Sequence, residues 1–593
     1  MIAAAICFGK VSVQQAEQIR EASRLTPWKI DASPGGFTLP GSRSAVNASR
    51  CRTVTREDPC AVPQTKERAE SAVKERKRGE KSEQEGRGLR RDGSRISCVV
   101  TAMSSNTGKT VVTCALLEWL SREGFSACAF KTGPDYIDPM FHRKVQGVEC
   151  HNLDLFLCGE KRAEDVLRQH FLRYAGGYDA VVIEGAMGWK DGIGGTPGKS
   201  AWEIAKILNV PGLLVVNCEG CAGLIAATDY PVQEIDSGIA AVFLNCCGDE
   251  EYPRIKEAVE KKTGLPVIGY LPLMPEAEWS SRHLGLVTAC EIDDLKMRLR
   301  KLGAALGERM DRDTFAAVFQ TDRMKEREKR TDKTEEREKQ KERIEARKVA
   351  EPTESAEERR ASGHSVKEYC PETEPADWDA AKKPLLAVAR DEAFCFIYEE
   401  TLGALRDAGF AIGFFSPLHG ENIPESASAL LLSGGYPELY AKELAANARM
   451  CTSVRTAVTG GLPTIAECGG FLYLGEELQG TDGKMYPMCG AFRGKATRKE
   501  RLVRFGYAQM TAKKDGLLFR KGESAPIHEF HYWDSTANGD DFALIKPVSD
   551  RSWQGGFQTP TMYAGFAHLY LAAQPDAVKR FREAAESYHR GVR

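Results

Sequence analysis

The sequence predicts an α/β protein made of two successive parallel-sheet units, and three features carry that reading. Short apolar runs alternate with helical periodicities in each unit. Glycines and polar or charged residues gather where the runs end, the place where ligands sit on parallel sheets. A stretch of almost pure Lys, Glu and Arg separates the two units.

The first unit, 96–305, opens on Ser97-Cys98-Val99-Val100-Thr101-Ala102-Met103, which reads as a buried strand. The chain continues Ser104-Ser105-Asn106-Thr107-Gly108-Lys109-Thr110 and enters a helical pattern from Val111 to Arg122. Strand, small-residue loop, Gly-Lys-Thr and helix is the context of a phosphate-binding loop. Backbone N–H groups across Ser104, Ser105, Asn106, Thr107 and Gly108, together with the helix dipole, favour an anion there. The expected ligand is ATP, with Lys109 at its terminal phosphates and the Thr110 hydroxyl on Mg²⁺. The usual spacing puts a glycine at Met103, and a longer variant puts it at Ala102.

A second strand, Ala127 to Thr132, runs into Gly133-Pro134-Asp135-Tyr136-Ile137-Asp138-Pro139-Met140-Phe141-His142. Two carboxylates three residues apart at a strand end suit Mg²⁺ and its phosphates, so Asp135 is a candidate metal ligand. Asp138 and Tyr136 are candidates for contact with substrate or intermediate. Further strands are expected at Val181–Glu184, Leu213–Asn217, Ala241–Asn245 and Val267–Tyr270. Glu184 closes its strand and opens a glycine-rich turn, which marks it as a ligand of Mg²⁺ or of its water shell. Asp191 either contacts substrate or metal, or shapes the turn beside Gly192.

Residues 1–95 combine Pro, Gly and Ser with a dense Lys/Arg/Glu run, and 306–383 are charged and then Pro- and Ser-rich. Neither carries enough apolar side chains to offset ordering entropy, so a disordered extension and a linker are expected. The net charge of −2 gives no sign of a nucleic-acid partner. No apolar run nears the ~20 residues that span a bilayer. The 18 cysteines are scattered, many in apolar runs, which fits reduced thiols in the cytoplasm. The single Cys-x-x-Cys, Cys218 and Cys221, has no partner pair for zinc.

The second unit, 384–593, has strand patterns at Leu385–Ala389, Ile412–Phe415, Ala429–Leu432 and Thr464–Ala466. Gly434 and Gly435 follow the third of these and can offer N–H groups to an oxyanion. Cys468, in Ala466-Glu467-Cys468-Gly469-Gly470, sits at a strand–turn–helix junction that reads as a nucleophile elbow. A helix N-terminus there favours the thiolate. The base is expected to be a histidine distant in sequence.

Phe130 to His142 resembles the FKxGPDYIDPxFH signature of the cobyrinate a,c-diamide synthase family, glutamine-dependent enzymes of corrinoid biosynthesis. Glu184 to Gly192 resembles that family's EGVMGLxDG motif, Ser281 to Leu286 its RHLGL segment, and the two glycine-rich segments its class I glutamine amidotransferase domain. The resemblance implies a dethiobiotin-synthetase-like P-loop domain followed by a flavodoxin-like amidotransferase domain. It implies Asn245 at adenine (against a loop cap), and Arg282 and His283 at tetrapyrrole carboxylates (against a surface loop). His568 takes the place of the base. Tyr570 stands where other amidotransferases carry a glutamate, so a Cys–His dyad is implied. His528 to Tyr532 also matches, as a structural or substrate-contacting segment. The expected partners are a tetrapyrrole and glutamine, with a homodimer left open. Hydrogenobyrinic acid or a nickel sirohydrochlorin is an alternative substrate, and a P-loop partitioning or regulatory switch is a non-enzymatic alternative.

Overall fold

The computed structural model describes residues 94–160, 162–219, 238–274, 289–322 and 383–591. The N-terminal extension, most of the linker, Cys221, Arg282 and His283 lie outside these.

The apolar runs of the first unit become the centre of one sheet. Its strands are β1 (Ser94–Thr101), β2 (Ala127–Thr132), β3 (Glu149–Leu153), β4 (Ala180–Glu184), β5 (Gly212–Asn217), β6 (Ile239–Asn245) and β7 (Val267–Leu271), in spatial order β3-β2-β4-β1-β5-β6-β7. All of these pairs are parallel, and both faces are covered by apolar clusters, as a continuous Val/Ile/Leu pattern requires. Helix α1 (Lys109–Arg122) packs one face together with α2 (Ala289–Arg309). The unit runs on past residue 305. Helix α3 (Arg312–Phe319) buries Phe315 and Phe319 against Trp119, and β8 (Gln320–Asp322) pairs antiparallel with the start of β1. These apolar residues anchor a segment whose surrounding charge had suggested linker.

The second unit holds β9 (Leu385–Ala389), α4 (Glu399–Asp407), β10 (Ala411–Phe415), β11 (Ala427–Leu432), β12 (Thr464–Glu467) and α5 (Gly469–Leu474). Its main sheet has the order β10-β9-β11-β12 and is parallel throughout that run. A second, five-stranded antiparallel sheet includes β13 (Arg504–Ala512) and β14 (Ser524–His531) and ends on the short strand β15 (His568–Leu569). This sheet shows one face to the first unit: Tyr507 on β13 donates to Asp154 Oδ2 at 2.6 Å.

Candidate active site

The phosphate-binding loop joins β1 to α1 and is shaped by two left-handed residues, Asn106 (φ 66°) and Gly108 (φ 88°). A Cβ on Gly108 would lie 2.1 Å from Asn245 Nδ2, which itself donates to Thr107 O at 3.1 Å. Asn245, at the end of β6, therefore braces the loop. Lys109 Nζ donates to Ser104 O at 3.0 Å. Ala102 is buried, is not among the positive-φ residues, and accepts from Trp189 N–H at 2.7 Å through its carbonyl. Alanine thus meets no backbone conflict there. Ala102→Gly is expected to change apparent ATP affinity by less than ~3-fold, whereas Gly108→Ala, forced into a left-handed conformation and onto Asn245, should weaken it by at least ~10-fold. Nucleotide titration of both variants checks this.

Register places Lys131 on β2 beside Glu184 on β4. Lys131 Nζ lies 2.7 Å from Glu184 Oε1 and 2.5 Å from Asp138 Oδ2, and all three side chains are buried. Burial alone would lower the Lys131 pKa; Asp138 and Glu184 carry it well above its ordinary value. Burial works against an ionised Glu184 as well, yet Lys131 and then His142 hold its pKa below the usual carboxylate range. Thr110 donates its hydroxyl to Glu184 Oε1 at 2.6 Å. Glu184 Oε2 is buried without a hydrogen-bond partner, with His142 Nε2 3.7 Å away. Among the described residues no three His, Cys, Asp or Glu side chains form a metal cage. The donor set suits a hard cation such as Mg²⁺ that takes its remaining ligands from phosphate and water.

The other candidates divide. Asp135 turns Oδ1 onto the N–H groups of Ile137 (2.8 Å) and Asp138 (3.2 Å), so it shapes its own loop. Tyr136 points away from the lysine cluster into the second unit, with ring centroids 4.3 Å from Tyr398, 5.0 Å from Phe396 and 5.4 Å from His568. Asp191 is exposed and accepts Gly188 N–H at 3.0 Å, which is the turn-forming arrangement.

In the second unit Cys468 has φ 47° and ψ −101°, a strained conformation between β12 and α5. This is the elbow geometry that lifts a side chain out of its strand–helix turn. His568 on β15 is buried, and Cys468 is the first of the groups that favour its charged form. A Cβ on Gly434 would lie 2.5 Å from His568 Cε1, so only glycine fits beside the imidazole. Glu467, the residue before the nucleophile, brings Oε2 to 3.6 Å from His568 Nδ1 while Oε1 accepts Leu569 N–H at 3.1 Å. A carboxylate therefore does stand beside the histidine, supplied by β12 rather than by the segment after His568, and at this distance it acts on the ring by charge. Burial would lower the His568 pKa, but Cys468 and Glu467 raise it to about 10.

The sign follows. The imidazolium is present below that value, and its contribution to stability is lost as pH rises through about 10. Glu467→Gln removes one stabilising charge, so His568 should titrate lower, the alkaline limb of glutamine hydrolysis should move down, and the rate should fall at least ~10-fold. An unchanged pH profile would remove Glu467 from the site. Lys131 and Glu467 were both missed by sequence reasoning, although a lysine inside a buried strand signals nearby carboxylates.

Comparisons with known proteins fall on these two sites. A model described as the CobQ/CobB/MinD/ParA nucleotide binding domain matches residues 98–287, and one described as the CobB/CobQ-like glutamine amidotransferase domain matches 386–575. The cobyrinate a,c-diamide synthase of Caldanaerobacter subterraneus subsp. tengcongensis is 33% identical over 497 residues, 83% of this chain and 99% of that protein. Those of Salmonella typhimurium (32% identical, 82% of this chain and 97% of that protein) and Dehalococcoides mccartyi strain 195 (30%, 83% and 98%) are similar along the same span. This chain belongs to the cobyrinate a,c-diamide synthase family. Like the family, this synthase is a glutamine-dependent carbon–nitrogen ligase with a nucleotide-binding half and an amidotransferase half. No helix among its described residues is long and apolar enough to cross a membrane.

Proposed function

We propose that the enzyme amidates the a and c acetate carboxylates of cobyrinic acid in the cytoplasm, using one ATP and one glutamine for each. The observation that carries the reading is the placement of one loop. Gly133 to Asp138 holds Asp138 on Lys131, beside the phosphate-binding loop, and Tyr136 against His568. Two chemistries that exchange ammonia are thus a few side chains apart.

A carboxylate is a poor electrophile, and transfer of the ATP γ-phosphoryl group to its oxygen creates a leaving group. Lys109 and the loop N–H groups stabilise charge on the transferring phosphoryl. Thr110 and Glu184 would hold Mg²⁺, directly or through water, and the ion would neutralise phosphate charge. In the other half the Cys468 thiolate attacks the glutamine amide carbon. Gly434 and Gly435 are the candidates to offer N–H groups to the oxyanion, and His568 delivers its proton to the departing ammonia. Water, deprotonated by His568, then releases glutamate from the thioester. The ammonia attacks the acyl phosphate, expels phosphate and leaves the amide.

The test is incubation with cobyrinic acid, Mg-ATP and glutamine, followed by mass spectrometry. Two successive losses of ~1 Da, each with one ADP, are expected for carboxyl-to-amide conversion. Conversion of hydrogenobyrinic acid or a nickel sirohydrochlorin but not cobyrinic acid would reassign the substrate. ATP turnover without amidation of any of these would overturn the reading.

A further inference from the structure

The loop that joins the two sites is held by a side chain from the opposite half of the molecule. Glu400 lies in the first turn of α4 and is 1% exposed. Its Oε1 crosses to β3 of the nucleotide-binding half, accepting Asn152 N–H at 2.7 Å and lying 3.3 Å from His151 Nδ1. The Asn152 carboxamide then donates to the carbonyl oxygens of Gly133 (3.0 Å) and Asp135 (2.6 Å). The same loop turns Asp138 onto Lys131 through the N–H groups that Asp135 accepts. A continuous set of hydrogen bonds therefore runs from α4 to the lysine–carboxylate cluster at the nucleotide site.

A buried carboxylate carries a desolvation cost that an apolar side chain of similar volume does not. Burial pushes the Glu400 pKa up, but His151 and then the backbone donors hold it below its ordinary value. The two halves have other connections: Arg173 pairs with both Asp407 carboxylate oxygens, Tyr507 bonds Asp154, and Tyr570 OH lies 3.0 Å from His170 Nδ1. Glu400 is thus one docking contact among several, and it is the one hydrogen-bonded to Asn152.

We propose that Glu400 is a positioning residue for phosphoryl transfer: the amidotransferase half sets, through Glu400 and Asn152, the loop that presents Asp138 to the nucleotide site. The proposal rests on the reading of that loop as part of the synthetase site. Its consequence is that the nucleotide-binding half reaches full competence only with the amidotransferase half docked, whichever nitrogen donor is used.

The test uses the full chain with cobyrinic acid, Mg-ATP and free ammonia, which bypasses Cys468, and measures glutamate release from glutamine on the same preparations. Displacing a catalytic loop by a fraction of an ångström to 1 Å is enough for a large rate loss, so Glu400→Ala should lower ammonia-driven kcat at least ~10-fold. Apparent KM for ATP and the glutaminase rate should stay within ~3-fold of the parent, because the phosphate cradle and the elbow are untouched. Glu400→Gln can still accept from Asn152 N–H and should recover most of the lost kcat. Asn152→Ala, which leaves the amidotransferase half unaltered, should reproduce the Glu400→Ala loss.

Parental ammonia-driven kcat in Glu400→Ala, or in Asn152→Ala should the first variant not fold, would overturn the proposal. So would equal loss of ammonia-driven and glutaminase activities in these variants, which marks general disruption. A parent enzyme that amidates cobyrinic acid with neither glutamine nor ammonia overturns the proposed function, and this inference with it.

Discussion

Replacing Cys468 with alanine is expected to abolish glutamine-driven amidation, by at least ~10³-fold, while amidation from free ammonia stays within a few-fold of the parent. The chain geometry explains the asymmetry. Cys468 is held in a strained elbow between β12 and α5, and it raises the pKa of His568, far along the chain. Nothing in the Lys131–Asp138–Glu184 cluster depends on that sulfur. The same variant gives a second reading. With the thiolate gone, burial is left opposed mainly by Glu467, so the His568 pKa should fall from about 10. Following the imidazole resonance across pH by NMR checks that direction. Equal loss of activity with both nitrogen donors would overturn the separation of the two sites.

The sequence made the central strands visible because parallel strands buried on both faces are apolar along their whole length. Val99, Val181, Leu213 and Val242 each sit in such a run, and all are buried. The strand at the sheet edge, β3, was missed for the complementary reason. It reads Glu149-Cys150-His151-Asn152-Leu153: Glu149 is exposed, and His151 and Asn152 are turned to Glu400 and to the Gly133–Asp138 loop. Polar residues that are satisfied only by a distant part of the chain look like a loop from local pattern alone. The antiparallel sheet was hidden similarly: His528, Glu529 and His531 interrupt an apolar strand and are nevertheless buried.

Sites followed the same rule. Lys109, Thr110 and Cys468 were legible because backbone conformation demands a local signature around them. Glu467 was not, because its carboxylate meets His568 only through the fold. Tyr136, a candidate for contact with substrate or intermediate, has surroundings that local pattern does not reveal. Its ring packs in a buried aromatic cluster with Phe396 and Tyr398 of the second unit.

Replacing either of the two buried lysines of the nucleotide site is expected to have a large effect. Lys109 begins α1 and bonds the carbonyl of Ser104, a neutral partner within its own loop. Lys109→Ala should lose phosphoryl transfer, since a cation that tracks the moving phosphoryl contributes at least ~3 kcal/mol to the barrier, more than ~100-fold in rate. Lys131 is different. It stands between Asp138 and Glu184, and without it two carboxylates share a buried space in which His142 faces Glu184 alone. Breaking such a group by removing one member costs roughly 3–5 kcal/mol, so Lys131→Met should unfold at markedly lower denaturant or temperature even though its shape is nearly kept. Lower pH should restore part of that stability, because protonating Asp138 or Glu184 relieves the repulsion left behind. The measurements are denaturant unfolding at two pH values and ADP release with ammonia and cobyrinic acid. A Lys109→Ala enzyme that turns over at near the parental rate would remove this loop from the phosphoryl-transfer site. A Lys131→Met protein as stable as the parent would show that the carboxylates it joins are already neutralised by other means.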